Sequence, residues 1–417
     1  MQHFLLNRNF MNMWLSNLSS ILSSRFKELL IPIVVLGLTK SPLVTGFVAL
    51  SQQLGPIIFA IPIGTWIERK DKVKVATGAN MLYAVCVFIL TFLFVQEEIN
   101  SLVISCVLFM MGILGLVSRT AFNVMIPKVA GRQNLVEAHT KLEGADAICT
   151  LIGPIIGGYL LAKAGVGWTM FSCGILALMS MIYIRLVHYE DRIESYSEMK
   201  DGVRKGRVFD FYKQSFEGIA YLTANSAQKI STISYSILSF STVFIVLTVI
   251  IHASTILQLS VEQTGVLLAF AGVGNIVGVV VMKWLKKASW VPLLSVLLVI
   301  SGLGVAMILC SNVYWLACVG MFLFDGALSV AFVVQSSVHQ GVTPYELLSR
   351  VKSATYVIGG VLGLLGTFLS GAISQYLSTN VSLGVGAVLL IGVGFMILAK
   401  RKISTSMAEL EPIVVRK

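Results

Sequence analysis

Twelve apolar stretches, separated by short charged loops, constrain this chain more than any other feature. They run over about 11–37, 43–66, 75–95, 101–124, 138–163, 167–187, 230–252, 261–284, 290–310, 313–335, 351–376 and 381–399. A helix of about 20 residues crosses the ~30 Å hydrocarbon core of a bilayer. Membrane-spanning strands would instead show alternating segments of about 10 residues, and that pattern is absent. The expected fold class is an all-α membrane protein with 12 transmembrane helices. Only 12% of residues are charged and the mean hydropathy is +0.85, against roughly 25% charged residues in a soluble domain. An ordinary soluble enzyme is excluded.

The basic residues test this count, because short cytoplasmic loops carry an excess of Lys and Arg. The termini and the even-to-odd loops are assigned to the cytoplasm. Of 31 Lys and Arg residues, only Lys40 and Lys163 then fall on the opposite side, and Arg25, Lys27, Arg119 and Lys141 fall within spans. A missed helix would invert every later loop. The net charge of +11 is thus accounted for by loop asymmetry, and nucleic acid is not an expected partner. The first apolar stretch is long and interrupted by charge, which reads as a retained helix rather than a cleaved leader.

The longest polar segment, 188–228, divides the chain. The expected organisation is a six-helix half at 1–187, a central cytoplasmic linker at 188–228, a second six-helix half at 229–400 and a cytoplasmic tail at 401–417. The linker's second part places Phe209, Tyr212, Phe216, Ile219 and Ala220 on one helical face, the pattern of a helix lying on a membrane surface. The loop after the eighth span keeps Gly278, Lys283, Lys286 and Lys287 where the loop after the second span has a glycine and bases, as an internal repeat would.

Charges inside spans cost about 2.5–3.5 kcal/mol each on insertion scales, so each needs a partner, water or a function. Arg25 lies near mid-depth in the first span, and Glu28 shares its helical face at i+3. They are candidates for an intrahelical pair or for a substrate- or proton-binding cavity; Lys27 points elsewhere, to snorkel or to bridge helices. Arg119 in the fourth span and Glu143 in the fifth lie at similar depth, and Asp146 lies one turn deeper on the same face as Glu143. Adjacent antiparallel helices would let Arg119 meet either acid, leaving the other as a proton carrier or all three as a structural triad. Asp325 stands at mid-depth in the tenth span with no base of the second half at its level, a candidate for a proton or a cationic substrate. Gln52, Gln53, Asn275 and Gln335 are candidates to bond cargo or neighbouring helices. His252, at the outer end of the seventh span, and His339, in a cytoplasmic loop, are expected at the surface.

Six cysteines lie within or at the ends of apolar blocks and none forms a CxxC pair, so no metal site or disulfide is expected. The sequence contains no GxxxxGK[ST] phosphate loop, no HExxH and no nucleophile elbow. Neither an enzyme nor a cofactor is indicated.

Two motifs carry a family resemblance. In PIGTWIERKDKVKV (62–75), Gly64, Glu68, Arg69 and Lys74 fit the signature between the second and third helices of the major facilitator superfamily. Here Glu68 replaces the more usual aspartate, and Asp71 stands where glycine is common. In the fifth span, Gly153, Pro154, Gly157 and Gly158 reproduce the GPxxGG core of that superfamily's antiporter signature, with Cys149 in place of its preceding glycine. The opening NRNFMNMWLSNLSS, the 62–75 loop and the IP..AG..NLVEA segment at 126–138 most resemble the bacterial macrolide-efflux branch. The resemblance implies two six-helix halves and secondary active export of hydrophobic or cationic small molecules, by alternating access and proton antiport. The 62–75 loop would be a conformational switch, and the chain a monomer in the bacterial inner membrane with both termini cytoplasmic. A nutrient or siderophore importer, a lipid flippase and a non-transporting sensor are the alternatives; the sensor would be expected to lose the cavity charges kept here.

Overall fold

In the computed structural model, residues 7–68, 70–96, 100–130, 135–188, 222, 226–285, 288–311, 313–343 and 348–406 are described. They form long helices and one short 3-10 turn, Arg401–Ile403. The helices are α1 (Arg8–Thr39), α2 (Pro42–Glu68), α3 (Lys72–Val95) and α4 (Ser101–Ala130). Leu135–Arg185 follows, broken at Gly165 into α5 and α6. Gly165 has φ 80° and ψ 178°, a backbone state open to glycine and strained for other residues. Then come α7 (Ser226–Thr255), α8 (Val261–Leu285), α9 (Trp290–Leu309), α10 (Tyr314–Gly341), α11 (Leu348–Tyr376) and α12 (Thr379–Leu398). Among the described residues, 10 stretches are long and apolar enough to cross a membrane. One of these, Gly144–Arg185, is the bent pair. α1 is not among them because Arg25, Lys27 and Glu28 crowd its middle. The twelve helices match the spans read from the apolar blocks.

Several ends differ from the hydropathy reading. α2 continues through Glu68, so the charged loop between α2 and α3 is far shorter than the charge run suggests. Asp71 is the N-cap of α3: its carboxylate accepts from the Lys74 amide at 3.1 Å and pairs with Lys74 Nζ at 3.4 Å. Capping explains why an aspartate fits where the signature usually has glycine. α10 runs on to Gly341, which places His339 in a helix rather than a loop. Arg69, the surroundings of Gly64 and the side chain of Glu68 lie outside the described residues, as does the expected surface helix with Phe209, Tyr212, Phe216, Ile219 and Ala220.

Two compact units form, one of Met1–Ile193 with Ile250–Ala269, the other of Glu194–Val249 with Phe270–Lys417. In the first, glycines bring helices into backbone contact. A Cβ on Gly55 of α2 would lie 2.9 Å from the Phe109 carbonyl of α4, and one on Gly112 would clash with the Gln52 carbonyl. Gly174 of α6 receives the Phe88 ring of α3, and Gly153 and Gly157 of α5 receive Arg25 and Phe26 of α1. Small residues permit such close approach, which in lipid must substitute for a hydrophobic driving force.

The second unit repeats the scheme six helices on. Gly274 of α8 meets Gly326 of α10, Gly302 of α9 meets Ile391 of α12, and Gly366 of α11 meets Phe240 of α7. The α2–α4, α3–α6 and α1–α5 pairings therefore recur as α8–α10, α9–α12 and α7–α11. The C-terminal segment closes on the start of α9: Trp290 N–H donates to the Thr405 carbonyl at 3.2 Å, and Val291 N–H to Ser404 Oγ at 3.0 Å. These bonds satisfy two of the donors that every helix start leaves open.

Candidate functional site

Among the described residues, a charge cluster lies at mid-length of α1, where Arg25 joins two acids. Its Nη1 pairs with Glu28 at 2.9 Å, as the i+3 spacing predicts, and its Nη2 with Asp146 of α5 at 3.1 Å. A second contact from Nη2 to the other Asp146 oxygen measures 3.4 Å. Two carboxylates share one guanidinium, so the group carries a net charge of −1 when all three are ionised. Glu28 and Asp146 keep 57% and 45% of their side-chain surface accessible, Arg25 28%. The acids are therefore open to water or a ligand rather than sealed into helix packing.

The α5 motif builds this geometry. Cys149, Gly153 and Gly157 recur every four residues and form one face. Cys149 Sγ lies 3.7 Å from the Leu18 carbonyl, a Cβ on Gly153 would lie 2.6 Å from Arg25 Cβ, and one on Gly157 would lie 3.2 Å from the Phe26 ring. Trp14 Nε1 adds a bond to the Lys141 carbonyl at 3.0 Å. Asp146 stands two turns before Gly153 on this face, which is why it meets Arg25. The other edge of the motif faces the start of α8. A Cβ on Gly158 would lie 2.9 Å from the Val261 carbonyl, and one on Gly265 would clash with the Pro154 carbonyl.

The described ion pair of Asp146 is thus with Arg25 and not with Arg119, which is exposed on α4; the Glu143 side chain lies outside the described residues. Lys27 does not snorkel. It is 2% exposed, bonds the Tyr83 hydroxyl of α3 and lies 4.2 Å from that ring's centroid, a cation–π geometry.

In the second unit, Asp325 of α10 accepts from Asn275 Nδ2 of α8 at 2.9 Å. His252 and His339, expected at the surface, are 1% and 6% exposed. His339 Nδ1 lies 3.1 Å from Gln228 Nε2 of α7, and its Nε2 3.4 Å from Thr355 Oγ1 of α11. The Gln228 NH2 group can only donate, so His339 Nδ1 is the acceptor in that contact. Gln335 Nε2 bonds Ser231 Oγ at 3.1 Å. Both contacts tie α7 to α10, so Gln335 serves a neighbouring helix. Asn275, named from the sequence as a candidate to bond cargo or a neighbouring helix, bonds Asp325 of a neighbouring helix. Tyr83 is a partner that sequence reasoning did not assign.

A paired-helix repeat around intramembrane charges defines a secondary transporter. Residues 13–366 match the Major Facilitator Superfamily, and the chain belongs to it. Members of that superfamily are transporters rather than enzymes. In sequence the chain is 20% identical over 223 residues to macrolide efflux protein A of Streptococcus pyogenes, which covers 52% of this chain and 51% of that protein. The match thus spans about half the length of the relative. In fold it is similar to a bacterial homologue of the human lysosomal transporter Spinster (TM-score 0.73, 12% identity, 98% of each chain). It is also similar to a bacterial homologue of the iron transporter ferroportin (TM-score 0.72, 13% identity, 94% of this chain and 98% of that one). At these identities the likeness is one of fold.

Proposed function

We propose that this transporter is an exporter of hydrophobic or cationic small molecules, driven by proton antiport across a bacterial inner membrane. The observation that carries this reading is the Arg25–Glu28–Asp146 cluster. A group of net charge −1 at mid-span favours a cation, and two of its members are accessible. The cation is a proton or the positive group of a cargo molecule. Asp325 offers a second acid. The intact GPxxGG motif supports export, as does the partial similarity to macrolide efflux protein A. The same helix pairing recurs within each half, the kind of repeat found in transporters that expose a site to each side of the membrane in turn. Arg119 and Glu143 are kept as candidate residues of the same transport function. The 62–75 segment, with Gly64, Glu68, Arg69, Asp71 and Lys74, acts as a latch on the cytoplasmic side, where both termini also lie. One chain suffices, with protons and lipid as its other partners.

The test uses purified protein in liposomes that contain a pH-sensitive dye. A proton gradient is imposed, and hydrophobic cations, macrolides and neutral drugs are added in turn. Compound-dependent proton flux that disappears in Asp146→Asn or Asp325→Asn supports antiport and identifies the coupling acid. No flux with any compound, from protein that is folded, turns the reading to a facilitator, an importer or a lipid substrate.

A further inference from the structure

Asp325 sits where three helices are locked in register. Gly274 precedes Asn275 and Gly326 follows Asp325, and a Cβ on Gly326 would come within 2.9 Å of Gly274 Cα. Gly278, one turn on from Gly274, would place a Cβ 3.0 Å from the Gly326 carbonyl. From the third helix, Ser301 Oγ of α9 donates to the Phe324 carbonyl at 2.8 Å, and Gly304 lies against Phe324. The backbones on either side of the Asn275–Asp325 bond therefore have little freedom to slide.

Within this frame, one atom stands out. Asn275 Nδ2 donates to Asp325 Oδ2, while Asn275 Oδ1 is buried and has no hydrogen-bond partner among the described residues. A buried amide oxygen without a donor is costly. An ionised carboxylate cannot supply that donor, because it only accepts. A protonated carboxyl group can.

We infer that Asn275 and Asp325 form an acid–amide pair that makes Asp325 the proton carrier, leaving the Arg25 cluster to the cargo. This rests on the antiport reading above. The proton binds Asp325 Oδ1, and the new O–H donates to Asn275 Oδ1. Asn275 Nδ2 continues to donate to Asp325 Oδ2, so two antiparallel hydrogen bonds close a ring. The pair passes from charge −1 to neutral, and no covalent bond other than the O–H forms. On release the proton returns to water and the amide oxygen is orphaned again. Asn275 thereby stabilises the neutral form through a bond the charged form cannot make. In contrast, Asp146 lies against the Arg25 guanidinium at 3.1 Å.

α9 and α12 carry no charged residue. On α8, Lys283 and Glu262 lie about 12 and 20 Å along the helix from Asn275 at 1.5 Å per residue. On α10, Cys318 and Tyr314 lie upstream and His339 about 21 Å downstream. From α7, Tyr235 meets the Phe332 ring at 6.1 Å between centroids, two turns from Asp325.

The test is infrared difference spectroscopy of the full-length protein in liposomes, titrated with acid, beside the flux assay on the same preparation. The expected result is a carboxylic C=O band that appears on acidification and is lost in Asp325→Asn. In Asn275→Leu the band moves to higher frequency, because the carbonyl has lost its amide donor, and compound-dependent proton flux falls at least tenfold. Asn275→Ala replaces Asn275→Leu if the larger side chain prevents folding. A band that Asn275 substitutions leave in place, or no Asp325-dependent band, overturns the inference. Flux that survives in Asp325→Asn also overturns it while antiport stands. The band without any flux in the wild type removes antiport and leaves the pair. Loss of the band on adding sodium identifies a metal-cation site instead and likewise overturns the inference.

Discussion

Replacing Tyr83 with phenylalanine should destabilise this protein more than removing the lysine that Tyr83 serves. Lys27 is 2% exposed, and among the described residues its Nζ bonds the Tyr83 hydroxyl and lies 4.2 Å from the ring centroid. Tyr83→Phe keeps the ring and its cation–π attraction but deletes the hydroxyl. The buried amine then loses its hydrogen-bond partner at a cost of about 1–3 kcal/mol, more if it is charged. Lys27→Met keeps most of the volume and leaves only a neutral hydroxyl to find another partner. Replacement of buried ionic groups by packed apolar ones is often neutral or stabilising by about 1–4 kcal/mol. The order of stability is therefore Tyr83→Phe below wild type, Lys27→Met at or above it, and the double variant close to Lys27→Met. The double-mutant cycle should show a coupling of about 1–3 kcal/mol. The assay is reversible unfolding in mixed detergent micelles, read by tryptophan fluorescence. If Lys27→Met proves less stable than Tyr83→Phe, the reasoning fails, because the ammonium would then contribute more than it costs to bury.

Three further outcomes follow from the packing and the caps. Gly153→Ala places a methyl group 2.6 Å from Arg25 Cβ; overpacking of this kind costs about 1–3 kcal/mol and should displace Arg25 from Asp146, lowering transport, while Gly144→Ala, in open space inside the helix, should leave transport unchanged and raise stability by about 0.5–1 kcal/mol. Asp71→Ala removes the α3 N-cap and should cost about 0.5–2 kcal/mol, with Asp71→Asn recovering most of it; thermal unfolding of the purified variants reads both. The Glu68→Ala, Arg69→Ala double variant should insert and fold normally yet turn over slowly in the liposome assay, and normal turnover of a well-expressed double variant refutes the latch.

The number of helices was legible because each span needs its own run of about 20 apolar residues, and because the basic residues alternate with the spans. Helix ends were less legible. Glu68 and Lys72 are polar, yet helix and cap geometry carry α2 and α3 past the hydrophobic boundary and leave a three-residue connection. The break between α5 and α6 rests on one glycine conformation, which residue type permits but does not dictate. In the site, Arg25–Glu28 was readable from i+3 spacing because both partners lie on one helix. Arg25–Asp146 spans 121 positions and Asn275–Asp325 spans 50. Such partners depend on which helices pair, and glycine contacts rather than hydropathy decide that. His339 shows the same limit: polar residues from α7 and α11 bury it, and no local pattern announces them.

Simultaneous recording of proton and compound movement in one population of liposomes tests proton-driven export most directly. With the proton gradient as the only driving force, the compound should move against the protons, and a compound gradient alone should drive protons the opposite way. Movement of both in the same direction, or compound movement that ignores the proton gradient, would contradict antiport.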